Sequence, residues 1–338
     1  KDAGDAHLST DLDIYFNEAK VKQANLIRYY YNDKEDMFDG HSYNKGGRVL
    51  HMLRTYVGDD AFFASLKLYL NTKKFSSVEI SDLRLAFEAV TGEDLHWFFD
   101  QWFMSSGHPE LAVNSYYNDT TKQIVLTVSQ NQNFSFAPLY KLPIAVDVYS
   151  ANAKERHQIT ITKQEEKFYF EAKSKPNLVE FDADHALIAV ITEVKTPEEW
   201  TYQYKNSPTY FARSEAIKKL SQLKGKVVYD CLLSATTDKF HAIRAQAAEI
   251  LSENFSKENA VQLKQTFYNM AMKEEKSYLR SQALKYWNKL AKDDEKVKEV
   301  LTNATNDKSY LVQTMALYLL NKSDQDLGFE MAKKFENE

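Results

Sequence analysis

A single cysteine, Cys231, stands among 338 residues, so no disulfide can close within the chain and cysteine usage does not report a redox compartment. Tyr229, Leu232 and Leu233 give it an apolar helical setting, in which a free thiol packs as a small hydrophobe. Runs approaching the roughly 18 uninterrupted apolar residues of a bilayer span are absent, so no membrane span is expected in this chain. There is no basic block either. Lys and Arg are spread along a chain of net charge -5, which leaves no electrostatic footprint for nucleic acid. Three motif classes are also missing: His-Glu-x-x-His, Gly-x-Ser-x-Gly and the phosphate-binding glycine loops. Those absences remove a helical zinc pair, a serine nucleophile elbow and a nucleotide cradle. His41 and His51, with Asp36 and Asp39 near by, are chemically able ligands, but a ten-residue separation matches no zinc spacing. His7, His96, His108, His157, His185 and His241 are scattered, with His108 in Gly107-His108-Pro109 read as shaping a segment exit. No metal site is expected from the residues of this chain. The sequons at Asn118 and Asn133 are short enough to arise by chance and assign no compartment.

What is present falls into three stretches of different period. Up to about residue 107 apolar residues recur at three and four: Val49, Leu53 and Tyr56, then Phe62, Leu66 and Tyr69, then Ile80, Leu83, Phe87 and Val90. These predict packed helices. Gly58-Asp59 separates the first two, Ser76 with Glu79 reads as a capping box for the third, and Gly92 ends it before Asp94 caps a fourth. Residues 26–41 break the pattern with Tyr29-Tyr30-Tyr31 and the acids Asp33, Glu35, Asp36 and Asp39. A long polar connection of this kind suits a substrate-facing loop, and its acids could meet a substrate ammonium or stay solvated.

Between about 110 and 194 the period drops to two: Ile124, Leu126 and Val128, then Ile144, Val146 and Val148, then Ile159 and Ile161, then Phe168 and Phe170. Turn-rich interruptions between short strands predict a small antiparallel β-sandwich. From about 196 the helical period returns with an internal repeat, Arg213-x-x-Ala216, Arg244-x-x-Ala247 and Arg280-x-x-Ala283. Leu220, Leu251 and Trp287 follow four residues after each Ala, and Val312 with Met315 continues the series weakly. Repeats of this length predict a HEAT-like α-solenoid, with a non-repetitive bundle as the other reading.

Tyr43 is the candidate catalytic residue. A phenol stays protonated at neutral pH and can donate to an oxygen gaining negative charge. On residue chemistry alone, a tyrosine at a helix start is as readily a packing residue. The string Ser42-Tyr43-x-Lys45-Gly46-x-x-Val49-Leu50-x-Met52-Leu53 resembles the tyrosine motif of the aminopeptidase-N-like zinc metallopeptidases, the gluzincin aminopeptidases of peptidase family M1. Thr91-Gly92-x-Asp94-Leu95-x-Trp97-Phe98-Phe99-Asp100-Gln101-Trp102 and Gly107-His108-Pro109-x-Leu111 are similar to the end of that family's catalytic domain.

The resemblance implies a multidomain α and β chain. Residues 1–109 would form the helical end of a thermolysin-like catalytic domain, 110–194 an antiparallel β-sandwich and 195–338 a C-terminal HEAT-like α-solenoid. It implies a peptide substrate, zinc as cofactor of the parent protein, and Tyr43 as donor to the tetrahedral oxyanion. The family's zinc ligands, its glutamate base and its amino-group anchor precede the tyrosine motif and have no counterpart here. The partner so implied is a missing N-terminal catalytic segment, and the chain alone is expected to be inactive. Lys1 in place of Met, with no leader pattern behind it, reads the same way. Lys45 is expected at the helix surface, and Gly46 is expected to permit close helix packing. The alternative is a non-catalytic scaffold or interaction protein on the same architecture.

Overall fold

A computed structural model describes residues 1–151, 153–255, 257–291, 294 and 296–336. It divides into two compact units, Lys1–Ala212 and Arg213–Glu338.

The first unit opens with α1 (Asp2–Ala19), which buries Tyr15 and Ala19. A connection carrying one 3-10 turn (Lys34–Met37) leads to a single π-helical turn, His41–Lys45, which runs directly into α2 (Gly46–Val57). Gly58, at φ 83°, lets the chain reverse into α3 (Asp59–Lys73), and α4 (Ile80–Thr91) stops at left-handed Gly92. The cap of α4 differs from expectation. Ser76 donates its hydroxyl to the Lys73 carbonyl (2.7 Å) and so finishes α3, while Asp82 accepts the Glu79 N–H at 2.9 Å and makes Glu79 the start of α4. A short helix, α5 (His96–Phe99), continues into a second π turn, Asp100–Met104. Phe98, Phe99 and Trp102 of this run are core residues, and Gln101 grips both the N–H and the carbonyl of Lys141.

Seven strands follow: β1 (Glu110–Asn118), β2 (Gln123–Gln130), β3 (Leu142–Tyr149), β4 (Lys154–Ile161), β5 (Glu165–Glu171), β6 (Leu178–Phe181) and β7 (Val190–Glu193). They form one sheet in the order β5-β2-β1-β7 and another in the order β4-β3-β6. All pairs are antiparallel except β1 with β7. The alternating residues Ile124, Leu126, Val128, Ile144, Val146 and Val148 enter one core with Val49, Leu53, Phe87, Phe98 and Trp102 of the helices. Burying such side chains contributes about 1.5–3 kcal/mol each, which is why period two in this stretch becomes sheet. After the strands, α6 (Pro197–Asn206) is capped reciprocally by Thr196 and Glu199.

The division between the units falls within α7 (Tyr210–Leu220). The second unit continues with α8 (Lys226–Ala235), α9 (His241–Asn254), α10 (Ala260–Lys273), α11 (Ser277–Leu290), α12 (Val297–Ala304), α13 (Tyr310–Ser323) and α14 (Gln325–Ala332). Helices pack in consecutive pairs, α8 on α9, α10 on α11 and α12 on α13, while α9, α11 and α13 also pack in series. Ala216, Ala247, Ala283 and Ala316 are all fully buried where helices approach. The fourth copy of the repeat is therefore Gln313-x-x-Ala316 with Leu320, one residue beyond the Val312 and Met315 expected from sequence. Each repeat arginine meets an acid of the turn that leads into the next repeat helix: Arg213 with Asp238 (3.3 Å), Arg244 with Glu274 (2.6 Å) and Arg280 with Asp307 (2.8 Å). The next copy then reaches the same acid's carbonyl, Arg244 to Asp238, Arg280 to Glu274 and Gln313 to Asp307.

Candidate functional site

Tyr43 lies in the middle of the π turn, and the turn explains its orientation. One extra residue in the helical ladder sends His41 and Lys45 inward and leaves Tyr43 61% exposed between them. Its ring lies 5.7 Å from that of Phe38, and Tyr29, Tyr30 and Tyr31 of the preceding connection are exposed as well. Among the described residues no group hydrogen-bonds the Tyr43 hydroxyl, so that donor is available to a ligand.

Both ends of the turn are fastened. On the N-terminal side Asp39 accepts the Ser42 N–H (2.7 Å) and a two-pronged contact from Arg28 (2.7 and 3.2 Å), and it also pairs with Lys22. Arg28 donates further to the Ser42 hydroxyl at 2.6 Å. Burial alone would raise the Asp39 pKa, but the hydrogen bonds from Arg28, Lys22 and Ser42 outweigh it and hold the carboxyl well below the usual carboxylate range. The charge of Asp39 is therefore committed to these partners instead of a substrate ammonium. Asp33, the other end of the acidic stretch, accepts the Glu35 N–H and caps the 3-10 turn.

On the C-terminal side Lys45 is fully buried, not at the helix surface as expected. Its ammonium donates to the Gly107 carbonyl (2.9 Å) and sits 5.4 Å from the centre of the Tyr15 ring. The Tyr15 hydroxyl donates to the same carbonyl at 3.1 Å and lies 3.0 Å from His108 Nδ1. Burial pushes Lys45 down to about 8, and burial, then the Lys45 and His41 charges, push His108 down to about 4. Gly46 has ample room: an added Cβ would meet only the His41 carbonyl at 3.9 Å and Leu26 at 4.0 Å, so it is not a close-packing glycine. The demanding glycine is Gly107, at φ 79°, where a Cβ would stand 2.8 Å from that of Ala137. His108 lies at the segment exit, packed against Tyr15 and Phe16.

Sequence reasoning missed Lys45 and also Arg48, whose buried guanidinium donates to the carbonyls of His185, Ala186 and Leu187. A signal existed, since Lys45, Val49 and Leu53 share a four-residue spacing, as do Arg48 and Met52. Long cations are ordinarily assigned to solvent, and that habit hid it.

Two clusters of metal-capable side chains occur among the described residues: Glu18, Asp39 and His41, and Glu88, Asp94 and His96. Neither fits zinc. In the first, Asp39 is already neutralised by Arg28 and Lys22, and burial, then the Lys45 charge, lower the proton affinity of His41 against the pull of Glu18, so a divalent cation would enter among three positive groups. His41 is buried with Nδ1 3.5 Å from Glu18. The second is exposed, with Arg84 hydrogen-bonded 3.1 Å from His96 Nδ1. Neither His51 nor Asp36 joins either group. A cavity of about 340 Å³ lined by Met52, Tyr56, Trp97, Trp102, Lys141 and Asp182, among others, does not include Tyr43.

Residues 5–102 match the Peptidase family M1 domain. The probable aminopeptidase 1 of Sulfurisphaera tokodaii is 30% identical over 137 residues, covering 40% of this chain and 17% of that protein. Aminopeptidase N of Escherichia coli is 26% identical over 199 residues, covering 53% of this chain and 22% of that protein. Both matches span less than a quarter of the relative's length. In fold, the chain resembles Legionella pneumophila aminopeptidase A, solved in complex with aspartic acid, with a TM-score of 0.73 at 16% identity over 96% of this chain and 44% of that one.

Proposed function

Starting from a chain that is an M1-aminopeptidase-like segment, its family match lying at residues 5–102, we propose that the whole protein is a zinc metalloaminopeptidase releasing N-terminal residues from peptides. In this reading Tyr43 donates a hydrogen bond to the scissile carbonyl oxygen as it becomes tetrahedral. The metal, the base and the amino-group anchor come from residues outside this chain, because neither acid–histidine cluster here suits zinc. Residues 1–109 then form the helical end of the catalytic domain, 110–194 a β-sandwich and 195–338 a HEAT-like solenoid. The two sheets sharing one core and the paired helices with their arginine–acid ladder support those assignments, with the compact division lying at Arg213.

One observation carries the proposal. Tyr43 presents an exposed ring and an unbonded hydroxyl from a π turn fastened at both ends, and a preorganised donor is what oxyanion stabilisation requires. A donor alone leaves water unactivated, so the isolated chain has no peptidase activity with or without added zinc. The test is Tyr43→Phe in the protein that carries the metal-binding segment. Loss of one oxyanion donor costs about 2.7–4 kcal/mol, or about a hundred- to thousand-fold in kcat. A kcat within threefold of wild type refutes the role.

A further inference from the structure

Lys45 carries an ammonium into the interior without a carboxylate to meet it. It is fully buried, makes no ion pair among the described residues, and has the Gly107 carbonyl and the Tyr15 ring as its partners. Such a charge is expensive to bury, and apolar replacements for buried ionic groups often match or exceed the stability of the original. Stability therefore does not explain it. The Gly107 carbonyl does not need it either, since the Tyr15 hydroxyl already donates there.

What Lys45 alone supplies is a link. It is the last residue of the π turn, its own N–H closes the wide ladder onto the Gly40 carbonyl at 2.8 Å, and its side chain reaches 62 residues along the chain to Gly107. Gly107 has little room to shift, because its left-handed backbone passes so close to Ala137 that an added Cβ would stand 2.8 Å from that residue's own. Asp39 fastens the opposite end of the turn through Ser42, Arg28 and Lys22. Tyr43 hangs midway between the two fixed points. We propose that Lys45 is a positioning residue for Tyr43: the ammonium–Gly107 bond clamps the C-terminal end of the π turn and sets the direction of the Tyr43 hydroxyl. This inference rests on reading Tyr43 as the oxyanion donor, and it extends the working site to a residue that never touches substrate.

The experiment uses this chain with tyrosine labelled at Cζ by carbon-13, and the Tyr43 resonance is identified by its loss in Tyr43→Phe. Lys45→Met removes the donor and keeps the stem, and Lys45→Leu is a second apolar replacement in case the thioether packs poorly. Tyr15→Phe is the control, because it removes the other donor to the same carbonyl. The expected result is that the Lys45 variants unfold at an unchanged or higher urea midpoint, yet the Tyr43 resonance shifts or broadens and amide exchange at residues 43–46 accelerates at least tenfold. Tyr15→Phe leaves both signals where they were. A Lys45 variant that loses stability while Tyr43 stays unmoved overturns the proposal, since Lys45 is then only structural. Equal movement in Tyr15→Phe overturns it too, because the Gly107 segment and not Lys45 then sets the turn. No readout depends on catalysis, so a Tyr43→Phe enzyme that keeps its kcat would sink the functional reading without being mistaken for failure here.

Discussion

Removing the Asp39 carboxylate should loosen the first unit by an amount the geometry sets. Its side chain is 8% exposed and that of Arg28 is 13% exposed, so the pair is largely out of water. Asp39→Ala deletes the acceptor for the Ser42 N–H and strands the Arg28 guanidinium, and leaving a buried charge uncompensated costs about 3–5 kcal/mol. Asp39→Asn keeps an oxygen for Ser42 but puts an amide donor where Oδ2 accepted from Arg28 and Lys22, for about 1.5–3 kcal/mol. Urea unfolding in a Trp287→Phe background isolates the first unit, because Trp97, Trp102 and Trp200 all lie within it. The pH dependence has a definite sign. The native carboxyl titrates well below an unfolded aspartate, at about 3.9, so the contribution of Asp39 is fully present above that pH and fades as pH falls toward the native value. The wild-type advantage over Asp39→Asn should be flat from pH 5 to 8 and shrink below about 4. Asp39→Ala within 0.5 kcal/mol of wild type at pH 7, or an advantage that grows on acidification, would refute the reasoning.

Two further substitutions test the scaffold. Arg244→Ala removes both contacts to Glu274, whose side chain is 7% exposed, and the bond to the Asp238 carbonyl, so the second unit should lose about 3 kcal/mol, read from Trp287 fluorescence during urea unfolding. Gly46→Ala has room for its methyl in a helical position and should stabilise by up to about 1 kcal/mol, whereas Gly107→Ala meets both a positive φ and the Ala137 Cβ and should destabilise by well over about 1 kcal/mol, compared by thermal midpoint.

The core was legible because burial writes its period into the chain. Ile124, Leu126 and Val128 alternate, Val49 and Leu53 recur at four, and each set is buried as its spacing requires. Gly92 ends α4 for the reason it was expected to, a left-handed cap. Where two local patterns competed, sequence alone did not decide. Ser76 could cap one helix or finish another, and the nearer Lys73 carbonyl took it. The fourth repeat was displaced by one residue because glutamine replaces arginine there, while its hydrogen bond to the acid's carbonyl persisted. Tyr43 was found through its motif, but the π turn that presents it has no compositional signal, and the inward Lys45 and Arg48 contradict the usual placement of cations. A buried ammonium is visible only once its carbonyl partner, far along the chain, is in place.

Among the described residues the chain presents an exposed hydrogen-bond donor at Tyr43, and its two acid–histidine clusters are unsuited to zinc. The most direct test is the zinc content of the purified chain after incubation with zinc and removal of loosely held metal. The expected value is near zero, because Arg28, Lys22 and Lys45 occupy the electrostatic space around Glu18, Asp39 and His41. About one zinc per chain, lost on His41→Ala, would contradict it and place a metal site beside Tyr43.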